Sequence, residues 1–273
     1  MKADKIKEIV RSRYAKVALQ NIPCCGTKKS CCGGSAEDTS KKVGYGDEDL
    51  NSVPEGANLG LGCGNPVALA SLKEGDVVLD LGSGAGFDAF LAAPRVGTAG
   101  KVIGVDMTPE MVEKAKANAK KGGFQNVEFR LGEIENLPVS DNEVGVIISN
   151  CVINLSPEKG KVFKEAFRVL KPGGRLMVSD LVLLKPLPEF VRQSVEAYVG
   201  CIAGAVMKDK YLAAITDAGF HDLKVVGEDV YPVELAVNDP VAKAIYSDGF
   251  ISDHAKEISG SVASIKVNAV KPS

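Results

Sequence analysis

The stretch DVVLDLGSGAGFD, residues 76–88, decides how this chain folds. Val77 to Leu81 form an apolar run of strand length, the pattern of a strand covered on both faces. Gly82, Gly84 and Gly86 follow at G-x-G-x-G spacing, and FDAFLAAPRV then continues as a helix. Glycine has no Cβ, so such a turn accepts positive φ and lets a ligand approach the backbone closely. A strand, a glycine turn and a helix in register predict the first βα unit of a parallel sheet.

Working outward, the same alternation recurs. KVIGVDM (101–107), NVEFRLG (126–132), VGVIISN (144–150) and RLMVSDLV (175–182) read as strands. Between them PEMVEKAKANAKKG (109–122) and PEKGKVFKEAFRVL (157–170) read as helices, the second capped by Ser156 with Pro157 at its first position. Helical stretches are expected near 188–206 and 208–218, followed by strand-like LKVVGEDVYPV (223–233) and SIKVNAV (264–270). Upstream, KADKIKEIVRSRYAKVALQ places Ile6, Ile9, Val10, Tyr14, Val17 and Ala18 on one face, predicting an amphipathic helix against the main body. Residues 24–67 keep no sustained period and read as loops with one or two short turns. Two units are expected, an N-terminal helix with a cysteine-rich loop segment over 1–74 and a sheet domain over 75–273.

Composition narrows the function classes. The 273 residues are 45% hydrophobic and 25% charged, with a formal net charge of −2. Neither nucleic acid nor a membrane is the expected partner on that balance. Residues 1–42 alone carry ten Lys and Arg against four Asp and Glu, which reads as a solvated arm. No signal peptide or membrane span is apparent, so the expected location is cytoplasmic. Seven cysteines in a reducing compartment argue against a structural disulfide framework and for reactive thiols or soft-ion ligands.

Asp106 ends the second strand twenty residues after Gly86, where a carboxylate can accept from both ribose hydroxyls. G-x-G-x-G is not the G-x-G-x-x-G that seats a pyrophosphate, so the spacing favours S-adenosylmethionine over a dinucleotide. In LGEIENLP (131–138), Glu133 can accept an adenine amino group and Ile134 can cover the ring. Three cysteines fall around that pocket. Cys151 follows the fourth strand at the carboxyl edge of the sheet, Cys63 lies in GLGCGNP, and Cys201 lies in EAYVGCIAGA. Singly, each could be a small buried hydrophobe. Together they could hold trivalent arsenic, whose lone pair would face the methyl donor.

The glycine turn, KPGG (171–174) and AGF (218–220) resemble the class I S-adenosylmethionine-dependent methyltransferases. That resemblance implies a Rossmann-like, seven-stranded, mostly parallel sheet with helices on both faces and the last strand inserted in an antiparallel hairpin. SIKVNAV is expected to be that strand, leaving 234–260 as an excursion. GANLGLGCGNP, LDLGSGAGFD, VIGVDMTPEMVEKA, SNCVINLSP and GCIAGA, in this order, are closely similar to the arsenite methyltransferase family. The similarity implies Cys63, Cys151 and Cys201 as arsenic(III) ligands. It implies a cofactor pocket of Asp80, Gly82, Ser83, Gly84, Gly86, Asp106, Met107, Ile134 and Asn150, with Tyr45 of VGYGDEDL on a segment that folds over the cofactor.

The N-terminal cysteines depart from the family pattern, which has one further reactive cysteine where this chain has the pairs Cys24–Cys25 and Cys31–Cys32. They could take part in redox chemistry with a thioredoxin-like or small-thiol reductant, capture arsenite or its thiol conjugates, bind zinc, or belong to a dispensable tail. Two other functions stay open, a class I enzyme acting on an organic acceptor such as a quinone and a metalloid-binding module without turnover. His221 and His254 lie outside the motif block and are not expected to act as bases.

Overall fold

The computed structural model describes residues 3–19, 36–192, 198, 201–230 and 260–273. Its seven strands are β1 (Val77–Leu81), β2 (Lys101–Asp106), β3 (Val127–Leu131), β4 (Val144–Asn150), β5 (Leu170–Leu183), β6 (His221–Val230) and β7 (Val262–Val270). They lie in the order β3-β2-β1-β4-β5-β7-β6. β1 to β5 pair in parallel, while β7 runs antiparallel between β5 and β6. The expected inserted strand is therefore present, two residues longer at its start than SIKVNAV.

Alternate residues of each central strand feed two apolar layers. Leu79, Leu81, Ile103, Val105 and Ile147 face the layer completed by α7 (Lys159–Val169) and α9 (Lys208–Asp217). Val78, Val102, Val146 and Ile148 face α5 (Phe87–Val96) and α6 (Pro109–Gly122). Both faces being covered explains why the strands read as unbroken apolar runs. α1 (Ala3–Leu19) buries Val10, Val17 and Ala18 and packs beside α6, as its amphipathic pattern requires.

Three local readings change. The stretch after residue 35 contains three short helices, α2 (Ala36–Lys42), α3 (Asp47–Ser52) and α4 (Pro66–Leu69), where loops and turns were expected. Each is too short to print a period, and α2 is marked only by Glu37 and Asp38 in its first turn and Lys41 and Lys42 in its last, charges that suit the helix dipole. α7 begins at Lys159 rather than at Pro157, because the Ser156 hydroxyl accepts from the Glu158 N–H at 3.0 Å and closes a separate turn before it. Of the stretch near 188–206, α8 (Glu189–Arg192) is helical. Residues 193–197, 199–200 and most of the 234–260 excursion lie outside the described residues, as do Cys24, Cys25, Cys31, Cys32 and His254. His221, at the exposed start of β6, pairs with Asp222 at 2.9 Å, away from the carboxyl edge.

Candidate active site

A cavity opens at the carboxyl ends of β1, β2 and β4, the ligand-binding edge of open α/β sheets. Gly82, Ser83 and Gly84 form its floor. Gly86 stands behind the wall, at φ +96°, where a Cβ would press within 2.6–2.8 Å of the Phe90 and Phe129 rings. Only glycine lets the turn and the first helix pack there.

Two buried carboxyl groups, Asp80 and Asp88, and the partly buried Asp106 surround the turn. Asp106 accepts the Gly84 N–H at 3.0 Å and the Thr108 N–H at 2.8 Å, one on each oxygen, and lines the cavity. Burial raises its pKa, and those two backbone donors oppose the rise. Burial also lifts Asp80 well above the usual carboxylate range, with the charges of Asp88 and Asp106 adding to the effect. Its Oδ2 and the Ser83 hydroxyl are buried with no hydrogen-bond partner among the described residues. Burial raises Asp88 to about 6, although the Tyr45 hydroxyl donates to it at 2.6 Å and the Asn150 amide at 3.0 Å.

This chemistry suits a cationic nucleoside and not a phosphate. Carboxylate charge here would repel a phosphate, and the Gly84 N–H that could have held one already serves Asp106. An ammonium or sulfonium group would relieve the buried charge, and Asp106 could accept from ribose hydroxyls.

Further residues line the cavity. Tyr45, buried against Phe87 with ring centroids 4.8 Å apart, does so with Asn58 and Leu59–Gly62. Lys7, Val10 and Tyr14 of α1 line it too. Met107 and Ile134 line the walls. Glu133 does not. It pairs instead with Lys7 at 2.7 Å and Arg11 at 3.1 Å, and the Lys7 hydrogen bond holds its carboxyl below the usual range. Glu135, two residues on, reaches the cavity and accepts from the Ser156 hydroxyl at 2.6 Å.

The cysteines gather at the far end. Cys151 is on the cavity wall, while Cys63 and Cys201 pack behind it in one apolar cluster with Leu155, Leu181 and Ile202. Cys63 and Cys151 form a disulfide, their Cα atoms 5.8 Å apart. No disulfide framework was expected. The pair forms because both residues are pinned to one carbonyl of β5, residue 179, which accepts the Cys151 N–H at 2.8 Å and faces the Cys63 sulfur at 3.5 Å. Gly64 makes this approach possible, since a Cβ there would collide with the Ser179 side chain. The Cys201 sulfur donates to the Cys151 carbonyl at 3.0 Å. Cys151 and Cys201 sit at φ +58° and +62°, a left-handed conformation that costs a non-glycine residue about 1–3 kcal/mol and clusters at functional sites.

Asn150 links the two ends. Its amide donates to the Tyr45 hydroxyl at 2.8 Å, the Gly64 carbonyl at 2.8 Å and Asp88, while its oxygen accepts the Cys63 N–H at 3.0 Å. Asp88, Lys7 and Glu135 carry no such expectation from the sequence, and Ser156 reads there only as a helix cap. An acid in the first turn of FDAFLAAPRV, apolar from there to Pro94, is a signal for Asp88; nothing tells where α1 docks.

A methyltransferase-domain family model matches residues 72–219. An arsenite methyltransferase of Halobacterium salinarum is 49% identical over 83% of this chain and 60% of its own length. The human arsenite methyltransferase is 34% identical over 91% of this chain and 66% of its own. The chain thus spans less than two thirds of the length of these curated relatives. The crystal structure of an arsenic(III) S-adenosylmethionine methyltransferase from Chlamydomonas reinhardtii superposes with a TM-score of 0.64 at 31% identity, over 88% of this chain and 75% of that one. By its glycine turn, its inserted strand and its place among these relatives, the chain belongs to the methyltransferase-domain family, in its arsenite methyltransferase branch.

Proposed function

We propose that this chain transfers a methyl group from S-adenosylmethionine to trivalent arsenic held by Cys63, Cys151 and Cys201. The observation that carries the reading is the position of Cys151, on the wall of a cavity whose other end is the glycine turn and Asp106, with two further cysteines directly behind it. The names of the relatives support it. On this reading residues 1–74 and 75–273 build one site together, since α1 and residues 58–62 line the same cavity.

S-adenosylmethionine, when bound, supplies an electrophilic methyl group on a sulfonium. Asp106 accepts from the ribose hydroxyls, Ile134 and Met107 cover the base, and Asp80 with Asp88 receives the positively charged amino-acid end. The thiols must be reduced to hold arsenite, so the Cys63–Cys151 disulfide has to be opened first. Three thiolates leave arsenic its lone pair, which displaces the methyl carbon from sulfur while the broken bond's electrons stay on sulfur. Arsenic is then formally pentavalent. Closing a disulfide returns two electrons to it, and a thioredoxin-like or small-thiol reductant reopens that disulfide by exchange. The Cys63–Cys151 disulfide is the form this pair would take after giving up two electrons; Cys24, Cys25, Cys31 and Cys32 are the other candidates. The cytoplasm, with its reducing thiols, is the location that fits this cycle.

The test is to incubate the reduced protein with arsenite, methyl-labelled cofactor and a thiol, and to identify the labelled product. Methylated arsenic is the expected outcome. Label appearing only on an added quinone, or binding without turnover, would replace the reading.

A further inference from the structure

The tightest cluster of metal-ligating atoms in the described residues is not the set of three cysteines. It is the sulfurs of Cys63 and Cys151 with a carboxylate oxygen of Asp180, all within 4.8 Å of one another and all buried. We propose that, once the disulfide is reduced, Cys63, Cys151 and Asp180 form a binding site for a thiophilic divalent cation of the zinc class. The proposal shares two thiols with the arsenic site but stands on its own geometry.

The donor set is the first argument. Two thiolates and a carboxylate suit Zn2+, which takes sulfur at about 2.3 Å and carboxylate oxygen at about 2.0–2.2 Å in tetrahedral sites. Arsenic(III) held by three sulfurs has no use for the carboxylate. Asp180 is the residue the methyl-transfer reading leaves without a role, although it is fully buried on β5 beside both cysteines.

The second argument is preorganisation. One oxygen of Asp180 accepts from the Asn154 amide at 2.8 Å and the Leu181 N–H at 2.9 Å, and the other from the Tyr211 hydroxyl at 3.0 Å. The oxygen facing Tyr211 keeps a lone pair, and outer hydrogen bonds of this kind orient ligating carboxylates. Cys63 is fixed likewise, its carbonyl accepting from the Ser264 hydroxyl at 2.8 Å. Two thiolates, one carboxylate and a divalent cation sum to one negative charge. The half-buried Lys159, whose Nζ donates to the carbonyls of residues 154 and 156, lies close enough to offset it. The fourth position would open to the cavity that Cys151 lines.

The balance is simple. A phosphine reductant cleaves the disulfide, water supplying the oxygen of the phosphine oxide and the two thiol hydrogens. Binding then releases the two thiol protons to solvent as the metal–sulfur bonds form.

The experiment uses the full chain with Cys24, Cys25, Cys31 and Cys32 replaced by serine, which removes the rival thiols, kept reduced with phosphine. Zn2+ is titrated against a chromophoric chelator, and arsenite binding is measured separately. One equivalent of Zn2+ is expected. Asp180→Asn should weaken Zn2+ by roughly tenfold or more while arsenite affinity stays within about twofold. Asparagine can keep the acceptor oxygen toward Asn154 and Leu181 and donate to Tyr211, so the fold has its partners. As a check without altering Asp180, Cd2+ should give a thiolate charge-transfer band of equal intensity in the parent and in Cys201→Ser. No saturable Zn2+ binding, unchanged affinity in Asp180→Asn, or a band reduced by a third in Cys201→Ser would each overturn the site. Zn2+ uptake by a chain that fails to bind arsenite would uphold this inference while removing the arsenic reading.

Discussion

The two ends of the cavity are built by opposite means. At the glycine turn, Asp80, Gly82, Ser83, Gly84 and Asp88 come from one stretch of nine residues, and Asp106 from the next strand. At the sulfur end, Cys63 and Cys151 are 88 residues apart, and Cys201 comes from a third segment. The first end is fixed by local backbone geometry, with Asp106 satisfied by neighbouring N–H groups. The second exists only when the sheet is assembled, and holds two cysteines in left-handed backbone. A nucleoside pocket can thus be carried from protein to protein as a short motif. An acceptor site made of distant thiols cannot.

That contrast can be broken at four points, beginning with the largest effect. Cys151→Ser should abolish methylation of arsenite while calorimetric titration finds cofactor affinity close to normal; parallel loss of both would mean that the ends are not separable. Asn150→Ala should fail at both ends, since it deprives Tyr45, Asp88 and the Cys63 loop of partners, and lose on the order of 3 kcal/mol in denaturant unfolding. Loss of arsenite binding alone in that variant would assign Asn150 to the sulfur end.

Asp106→Ala should weaken the cofactor by about 2 kcal/mol and spare arsenite binding, as removal of a charged ribose acceptor predicts. The gentlest effect is a slope. The folded pKa of Asp88, about 6, lies above the roughly 3.9 of an unfolded aspartate. The folded chain therefore binds this proton more tightly, and the contribution to stability, complete below about pH 4, is lost as pH rises to about 6. Asp88→Asn should flatten that part of the stability profile, and an unchanged profile would show that Asp88 titrates normally.

The same contrast explains what could be read without coordinates. VVLDL, KVIGVD and VGVIISN are two-sided strands whose apolar runs announce themselves, and the G-x-G-x-G turn with Asp106 marks the proposed nucleoside end. Cys151 is visible because it follows a legible strand. Glu133 is legible as an acid after the third strand, but the sequence does not show that α1 brings Lys7 and Arg11 to pair with it. The Cys63–Cys151 disulfide and the closeness of Asp180 depend on β5 standing beside β4, and no periodicity encodes a distance between side chains on neighbouring strands.

The Asn150 amide carries only two hydrogens, yet three oxygens lie within reach of its nitrogen, those of Tyr45, residue 64 and Asp88. These oxygens compete, and at any moment one has less than a full share. The segment of Tyr45, the loop of Cys63 and the helix of Asp88 are thus rivals for the same pair of protons. Whatever tightens one of them loosens its hold on another.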